Sequence, residues 1–306
     1  MVIRRRTKSR KPQADERDRG VLIRLLDRYV EALVAHDPAR LPMSPRTKFT
    51  ENGQQLSLGE GLWGTATGAS HRRYVEFVDP AAGQVGFFGI IEEHGVPCIV
   101  AVRMKVVKRM ITQLETLVVR NRGILFNPAA IGGRSSIFSD AMPAGHRARK
   151  ESISCANRYF DGIEQDNGRI IPVHPQCIRI ENGVQTVLSS NRDFASSTAS
   201  QGFNLFGLGV ADQIDTGFFE YIPRIRDRRF PIVDHTTGCV LAIVVFDQPG
   251  VLTAVNVKGH GRLNLPPLFQ IPTSVLIAEL FRVEDGQIRG IEAVLDFMPY
   301  GMKAGW

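Results

Sequence analysis

The chain contains one passage twice, and this repeat constrains its fold more than any other feature. Residues 28–53 read RYVEALVAHDPARLPMSPRTKFTENG and residues 158–183 read RYFDGIEQDNGRIIPVHPQCIRIENG, a shift of 130 positions without a gap. Seven of the 26 positions are identical, whereas average amino-acid usage gives about one or two by chance. Most of the identical residues are polar or are Pro and Gly, so a shared apolar bias does not explain the match.

The repeat continues towards the C-terminus with growing offsets. VEFVDPAAGQV at 75–85 is similar to FPIVDHTTGCV at 230–240, and AVRMKVVKRMITQLETLV at 101–118 is similar to AELFRVEDGQIRGIEAVL at 278–295. The offset rises from 130 to 155 and then to 177, so the second copy carries insertions. This period is too long for a solenoid. Because 306 residues suffice for about two domains, the sequence predicts two homologous domains in tandem.

Each copy has the pattern of a helix followed by a sheet, and the first copy shows it best. Leucines recur at helical spacing over residues 15–35, which predicts an amphipathic helix. A short helical turn and the strand TKFTENG follow. Apolar and polar residues then alternate over residues 71–80 and 83–93, which predicts one hairpin, and over residues 97–107 and 110–119, which predicts another. The predicted fold class is α+β, with helices packed on one face of a curved antiparallel sheet.

This element order and several short strings resemble the NTF2-like superfamily, and within it a subgroup of uncharacterised SnoaL-like proteins. The strings are D-P-x-x-L-P-x-S-P, F-T-E-N-G, G-E-G-L-W, an Arg-x-Lys-Val strand and a closing I-x-x-x-E-x-L-V. They lie within residues 20–120, and the second copy, residues 150–300, follows the pattern more loosely. The resemblance implies two tandem cone-shaped domains. Since domains of this superfamily commonly pair through their sheets, it also implies an intramolecular pseudo-dimer and leaves a further homodimer open.

The expected organisation has four parts. A disordered basic tail covers residues 1–14, a first domain 15–120, a linker rich in Gly, Pro and Ser 121–150, and a second domain with insertions 151–306. The tail carries most of the net charge of +7. A nucleic-acid partner is disfavoured, because no basic face interleaved with aromatic residues continues into the body. The largest insertion, residues 247–272, is expected to form a lid or an interface.

The sequence favours a cytoplasmic protein with no membrane partner. No apolar run approaches the length of a membrane span, and the basic N-terminal segment lacks the apolar core of a signal peptide. The four cysteines show neither CxxC spacing nor a histidine at metal-ligand spacing. We therefore expect reduced, buried cysteines and no metal site.

The resemblance implies chemistry without a cofactor. Active members of the superfamily move protons in an apolar pocket, and the sequence has no P-loop, GxGxxG, HExxH or GxSxG motif. The leading expectation is a cofactor-independent lyase or isomerase, acting by dehydration, double-bond shift or retro-aldol release of an aldehyde. Its substrate would be a hydrophobic, aromatic or polyketide-like small molecule. The alternatives are a non-catalytic small-molecule carrier and a protein-interaction scaffold.

Four residues of the first domain are candidates for catalysis: Tyr29, His71, Arg103 and Glu115. The last hairpin places Arg103 opposite Glu115. Either Glu115 is a positioned carboxylate or Arg103 binds an oxyanion, or the two form a solvated ion pair on the convex face of the sheet. Tyr29 could polarise a carbonyl or be a core residue, and His71 suits a general base near neutral pH. The first domain is the expected site of catalysis because it matches the SnoaL-like strings more closely.

Six further residues are candidates for binding a substrate. Two of them end the repeated strand, where Glu51 could line the mouth of a pocket and Asn52 suits the turn. Residues 59–74, GEGLWGTATGASHRRY, are expected to form an entrance loop with two aromatic side chains. The remaining two are a lysine on the same strand face as Arg103 and the second copy of the helical tyrosine. The six residues are Glu51, Asn52, Trp63, Tyr74, Lys105 and Tyr159.

Overall fold

The fold is described by a computed structural model. No helix within the described residues combines the length and the apolarity that crossing a membrane requires. The predicted basic tail, residues 1–14, lies outside the described part of the chain, and for residues 70–74 and Ser136 only the backbone is described. The described ranges are 18–121, 125–131, 136–142, 148–190 and 201–306.

The first half follows the predicted order of elements. Its helix α1, Arg19–Val34, begins where the Val21 N–H donates to the Asp18 side chain at 3.1 Å, as N-terminal caps do. A 3₁₀ turn, Pro38–Arg40, separates this helix from the sheet. The remaining elements are β1 (Met43–Glu51), β2 (Gln54–Gln55), α2 (Leu62–Thr65), β3 (Ala66–Asp79), β4 (Gln84–Glu93), β5 (Val96–Val107) and β6 (Met110–Val119).

The second half repeats this order and adds elements of its own. A short helix in the connector, α3 (Ser136–Ser139), precedes it. Short 3₁₀ turns span Pro128–Ala130, Gly168–Ile170, Leu205–Gly207, Phe218–Tyr221 and Pro267–Gln270. The helices and strands are α4 (Arg149–Glu164), β7 (Val173–Glu181), β8 (Val184–Gln185), α5 (Val210–Asp215), β9 (Arg224–Asp234), β10 (Cys239–Gln248), β11 (Ala254–Val257), β12 (Gly261–Asn264), β13 (Thr273–Glu284) and β14 (Gln287–Pro299).

Each half contains one six-stranded sheet. The strand orders are β2-β1-β6-β5-β4-β3 and β8-β7-β14-β13-β10-β9. Neighbouring strands are antiparallel except β1 with β6 and β7 with β14, which are parallel. The expectation of an antiparallel sheet is therefore corrected for one pair in each half, because the chain crosses to the far edge after β1 and returns to it in the same direction. We call α1 with its sheet the first cone, and α4 with its sheet the second cone.

The two faces of each sheet belong to different hydrophobic cores. On β5, Val100, Val102 and Met104 face α1 inside the first cone, whereas Ile99 and Ala101 face the second sheet. The second cone has its own core around α4, and a third core combines residues of both sheets. The sheets thus pack face to face. This confirms the α+β fold class of two tandem cones joined as a pseudo-dimer.

Two reciprocal ion pairs fasten the halves together. Asp79, at the end of β3, accepts hydrogen bonds from Arg149 and from a backbone N–H of β9 at 3.0 Å. Asp234, at the end of β9, accepts from Arg19 at 2.8 Å and from a backbone N–H of β3 at 2.9 Å. The arginines differ by 130 positions and the aspartates by 155, which are offsets of the repeat. The two halves therefore contact each other reciprocally, as subunits do in an isologous dimer. We call these four residues the latch.

The connector packs against the second half wherever it is described. Phe138 is fully buried in the core that the two sheets share. The Asn127 N–H donates to the carbonyl of Asn182 at 2.9 Å, and Arg282 donates to the carbonyl of Asp140 at 2.6 Å. This part of the chain is therefore a packed element of the interface, and not a free spacer.

The last residues of the chain cross from the second half to the first. Gly305 has a φ of 75°, and a Cβ atom there would lie 2.6 Å from the carbonyl oxygen of Gly53, so both backbone conformation and space require glycine. The indole N–H of Trp306 donates to the Thr50 hydroxyl at 3.0 Å. The segment after β14 thus docks on the first sheet.

The largest insertion, residues 247–272, closes over the second cone. The inward side chains of its β11–β12 hairpin belong to the core of that cone. The ring of Phe269 stacks on that of Tyr221 with centroids 4.6 Å apart, and the Lys258 N–H donates to the Thr216 carbonyl at 3.0 Å. We call residues 247–272 the cover.

Candidate functional site

The interior of the first cone is aromatic and packed. The rings of Tyr29 and Trp63 meet edge to face with centroids 5.6 Å apart, and both side chains are buried. Neither the Tyr29 hydroxyl nor the Trp63 indole nitrogen has a hydrogen-bond partner among the described residues. Burial, and to a lesser extent the charge of Glu51, raise the pKa of Tyr29. Both side chains are core residues of this cone, and Trp63 is not part of an exposed entrance.

The expected entrance loop, residues 59–74, is wrong for residues 66–70, and residues 71–74 belong to a strand, as the hairpin predicted over residues 71–80 requires. Helix α2 precedes Ala66, and from there the chain forms the edge strand β3, in which His71 pairs with Ile90 of β4. The pairing shifts register several times along this stretch, which explains why a glycine-rich sequence without clean alternation can still be a strand. The backbones of His71 and Tyr74 belong to this strand, and their side chains lie outside the described part of the structure.

Glu51 lies at the end of β1, where an ion-pair network surrounds it. Its carboxylate accepts from the Leu62 N–H at 2.7 Å, and the Arg120 guanidinium lies 3.5 Å away. Arg120 donates twice to Glu93, at 2.6 and 2.7 Å. Burial raises the pKa of Glu51, whereas hydrogen bonds from Arg120 lower the pKa of Glu93 to about 2. The candidate Glu51 is therefore already engaged by protein groups.

Asn52 and its repeat partner Asn182 have a structural explanation. Both have a φ of 47°, a left-handed conformation that Asn tolerates in turns. The Asn52 side chain accepts from the Val118 N–H at 2.7 Å and donates to the Val118 carbonyl at 3.0 Å. Asn182 does the same with Leu295, at 3.0 and 2.9 Å. The repeated Glu-Asn-Gly string therefore ties the first strand of each sheet to the last.

Arg103, Glu115 and Lys105 lie outside the cone interiors. Arg103 is opposite Glu115 in the register, as predicted, and donates to it at 2.8 Å. Their side chains are buried between the two sheets, so the pair is neither in a cone pocket nor solvated on a free convex face. Arg229 of the second half also donates to Glu115, at 2.6 Å. Lys105 is half-buried on the same strand face.

The second cone contains a buried charged cluster at its centre. Arg179, on the inward face of β7, is 3% exposed. Its guanidinium donates to the hydroxyl oxygen of Tyr159 at 3.1 Å and lies 3.6 Å from Glu181 at the strand end. Tyr159 comes from α4 and is also buried. Because Arg179 donates to the phenol oxygen, the phenol O–H can itself donate, and it does so to the Glu279 carboxyl group.

Glu279 is the buried carboxyl group of this cluster, and its pKa is strongly raised. It lies on β13 in an apolar run, is 2% exposed, and its Oε2 has no hydrogen-bond partner among the described residues. Burial, with a contribution from Glu181, raises the pKa of Glu279 to about 8, while Arg179 and Tyr159 act in the opposite direction. A carboxyl group of this kind exchanges a proton near neutral pH.

Two further side chains fix the position of Arg179. The Thr186 hydroxyl accepts from its Nε at 2.9 Å, and the side-chain oxygen of Gln213 accepts from its Nη2 at 2.7 Å. The amide nitrogen of Gln213 donates to the carbonyls of Thr186 and Leu205, at 2.5 and 2.8 Å. Gln213 is fully buried on α5. The guanidinium is therefore held in one orientation.

The two cones differ at the positions that carry the charges. The offset of 130 places Phe49 at the position of Arg179, and the offset of 177 places Val102 at the position of Glu279. Phe49 and Val102 both belong to the apolar core of the first cone. Of the predicted residues, only Tyr159 lies in the charged cluster.

Sequence reasoning did not select Arg179, Glu279 or Gln213 as site residues. A signal existed for Arg179 and Glu279, since each is a charged residue on the inward face of an otherwise apolar strand. The closer match of the first half to the SnoaL-like strings drew the predictions there instead. Gln213 lies in a segment without a counterpart in the first copy, and no pattern distinguishes it. In the part of the chain that the structure describes, no group of three or more His, Cys, Asp and Glu side chains is arranged to bind a metal ion.

Comparison with protein families places the chain in one of them. The model described as "Domain of unknown function (DUF8021)" matches residues 15–118 and 146–295. The chain belongs to the DUF8021 family. No curated protein matches it. The description of DUF8021 assigns no activity, so the function of this member has to be argued from the geometry of its site.

Three solved structures are similar to single halves of this DUF8021 protein. An NTF2-like protein of unknown function from Cytophaga hutchinsonii is 16% identical, with 36% of this chain and 94% of that chain covered and a TM-score of 0.27. A proposed isomerase from Rhodopseudomonas palustris is 15% identical, with 46% and 89% covered and a TM-score of 0.24. A proposed SnoaL-like polyketide cyclase from Jannaschia sp. CCS1 is 15% identical, with 50% and 92% covered and a TM-score of 0.22. The resemblance of each half to NTF2-like and SnoaL-like folds rests on the order of its helices and strands, and not on these scores.

Proposed function

We propose that the second cone is the site of a cofactor-independent isomerase or lyase that works by proton transfer. The observation that supports this most strongly is Glu279, a buried carboxyl group with a raised pKa and an oxygen without a partner among the described residues. Burying a carboxyl group in an apolar core costs free energy. Buried groups with strongly shifted pKa values are concentrated at functional sites.

The cluster supplies the parts that enolisation needs. Glu279 takes a proton from the carbon next to a substrate carbonyl, and the electron pair of the broken C–H bond moves into an enolate. The hydroxyl of Tyr159, polarised by Arg179, turns from Glu279 to the enolate oxygen and donates to it. Return of the proton from Glu279 to a different carbon of an unsaturated substrate gives a double-bond shift. Transfer of that proton to a departing β-hydroxyl releases water and gives dehydration. The proposed substrate is a hydrophobic carbonyl compound, aromatic or polyketide-like, because Phe160 and Phe281 pack against Tyr159.

The proposal requires the cover to open. The apolar side of its hairpin lies in the same core as Tyr159. In this proposal, a substrate reaches Glu279 when residues 247–272 move away from the cone. Lids of this kind exclude water from proton-transfer chemistry while they are closed.

Deuterium exchange tests the proposal without a known substrate. The full chain is incubated in D2O with a panel of hydrophobic cyclic and aromatic ketones, and deuterium incorporation at the α-carbon is measured by mass spectrometry. We expect at least one ketone to exchange, with kcat/KM rising with pH to a plateau above about pH 8, since the base must be ionised. Glu279→Gln should slow exchange by about 10² to 10⁴. Tyr159→Phe should slow it by about 10² to 10³.

The first cone offers the matched comparison. Tyr29→Phe removes the corresponding hydroxyl, and the proposal expects exchange at the wild-type rate. Loss of exchange in Tyr29→Phe with full activity in Tyr159→Phe would move the reaction to the first cone. Ketones that bind and protect the protein against unfolding, yet never exchange, would replace the enzyme with the alternative of a small-molecule carrier.

The cellular setting is part of the same proposal. All four cysteines are free and buried, which is compatible with a reducing, cytoplasmic environment. The pseudo-dimer already buries one face of each sheet. A further homodimer would therefore use another surface.

A further inference from the structure

A narrow cavity lies between the two sheets, away from both cone interiors. Apolar side chains of both halves line most of it, among them Phe77, Phe88 and Leu241, and Arg103 and Glu115 line one end. The cavity has a volume of about 10 Å³. That is room for about one water molecule or one small ion.

Two buried guanidinium nitrogens have no partner among the described residues, one on an arginine that lines the cavity and one on an arginine that shares Glu115 with it. They are Nη2 of Arg103 and Nε of Arg229. The other nitrogens of Arg103 donate to Glu115, Gln84 and Gln113 at 2.7 to 2.9 Å. Both terminal nitrogens of Arg229 donate to Glu115. The Nη2 amino group of Arg103 and the Nε–H of Arg229 are therefore buried without an acceptor among the described residues, and leaving donors of a charged group unpaired costs more free energy than leaving a neutral donor unpaired.

The charges around the cluster are unbalanced. The ring of Trp306 lies 4.4 Å from the ammonium of Lys48, 4.7 Å from the guanidinium of Arg103 and 5.6 Å from that of Arg229. Among the charged side chains that these described contacts bring together, Glu115 is the single anion. An aromatic face stabilises neighbouring cations only weakly compared with a counter-ion.

We propose that a small monovalent anion binds between Arg103 and Arg229 at the interface of the two halves. It accepts from Arg103 Nη2 and Arg229 Nε, and Trp306 covers the arginines. The anion is a halide or the carboxylate of a very small organic acid, because the space excludes larger groups. The second half does not repeat the site, since Leu280 stands opposite Glu292 where the first half has Arg103 opposite Glu115. The site does not depend on the reaction in the second cone.

Bromide-soaked crystals of the full chain test the location directly. The anomalous signal of bromide should appear as one peak within hydrogen-bond distance of both Arg103 Nη2 and Arg229 Nε. A parallel soak with sodium formate distinguishes a halide from a carboxylate as the bound anion. Density for formate, without a bromide peak in the other crystal, would favour an organic acid. A site filled by water alone in both crystals would overturn the proposal.

Two substitutions with opposite effects test it in solution. The shift in unfolding midpoint is titrated with sodium bromide and sodium formate, with sodium sulfate as the control for general salt effects. Arg103→Gln should weaken the anion-dependent shift by about tenfold or more in apparent affinity. Glu115→Gln removes the competing carboxylate and should strengthen it by a similar factor. If both variants responded to bromide as the wild type does, the anion would bind elsewhere. If Arg103→Gln does not fold, Arg229→Lys, which keeps the charge and removes the unpaired Nε, takes its place.

Discussion

At the scale of single residues, the two halves share residues that stabilise the fold and differ at two charged positions inside the cone. The Asn pair and the aspartates of the latch are kept in both halves and have the same contacts in each. Arg179 and Glu279 are found in the second half alone, where the first has Phe49 and Val102. The repeated Asn and Asp residues therefore explain the fold. Of the residues with a role in the proposed chemistry, Tyr159 is repeated as Tyr29, whereas Arg179 and Glu279 occur in the second half alone.

Glu279→Gln should change how stability depends on pH. The folded-state pKa of Glu279 is raised from 4.5 to about 8, so the folded protein keeps a proton that the unfolded chain loses between those values. This group therefore makes the free energy of unfolding fall as pH rises from about 4.5 to 8. The variant should lose that slope and be more stable than the wild type at pH 8, with little difference at pH 4.

Urea denaturation at a series of pH values measures this effect. Glu31→Gln is the matched control, because Glu31 is exposed on α1 and its substitution should leave the slope in place. A Glu279→Gln curve parallel to that of the wild type would show that Glu279 is ionised in the folded protein at neutral pH, and it would remove the basis for its proposed role.

At the scale of elements, the periodic segments could be predicted and the non-local pairings could not. The spacing of the leucines predicted a helix over residues 15–35, and the structure has it at residues 19–34. The alternation of apolar and polar residues predicted the two hairpins. The parallel pairing of β1 with β6 depends on where the chain returns after crossing the sheet, which no local pattern encodes. The charged cluster was missed for a related reason: the side chains of Tyr159, Arg179 and Glu279 meet only after α4, β7 and β13 have packed together.

Locking the cover should block the second cone. Thr216 and Lys258 are joined by a backbone hydrogen bond of 3.0 Å, so cysteines at both positions lie close enough for a disulfide. We expect the oxidised Thr216→Cys, Lys258→Cys protein to lose ketone exchange by about tenfold or more, and to regain it on reduction. The single-cysteine variants should exchange normally under both conditions. Undiminished exchange in the oxidised double variant would mean that substrates enter by another route.

At the scale of the whole molecule, the two halves of the tandem repeat pack against each other. The shared core between the sheets, the connector and the last residues of the chain all join the halves. The sequence predicted the pseudo-dimer through the resemblance to a superfamily that pairs by its sheets. It did not reveal the latch, because each aspartate finds its arginine in the other half of the chain.

Asp234→Ala should destabilise the whole chain. It leaves a buried backbone N–H of β3 without its acceptor and removes the partner of Arg19. We expect a loss of about 2 to 4 kcal/mol in the free energy of unfolding, measured by calorimetry and urea denaturation. Arg169→Ala breaks an exposed ion pair and should cost less than about 1 kcal/mol. Equal effects of the two substitutions would show that the latch contributes no more than a surface pair.

The most direct test of the central claim is a crystal structure of the full chain with the ketone that exchanges fastest. The proposal predicts the ligand in the second cone, with its carbonyl oxygen within hydrogen-bond distance of Tyr159 and its α-carbon next to Glu279 Oε2. The cover should be displaced or reordered around it. A ligand bound in the first cone beside Tyr29, or on an outer surface with the second cone still closed, would contradict the claim that Glu279 performs the proton transfer.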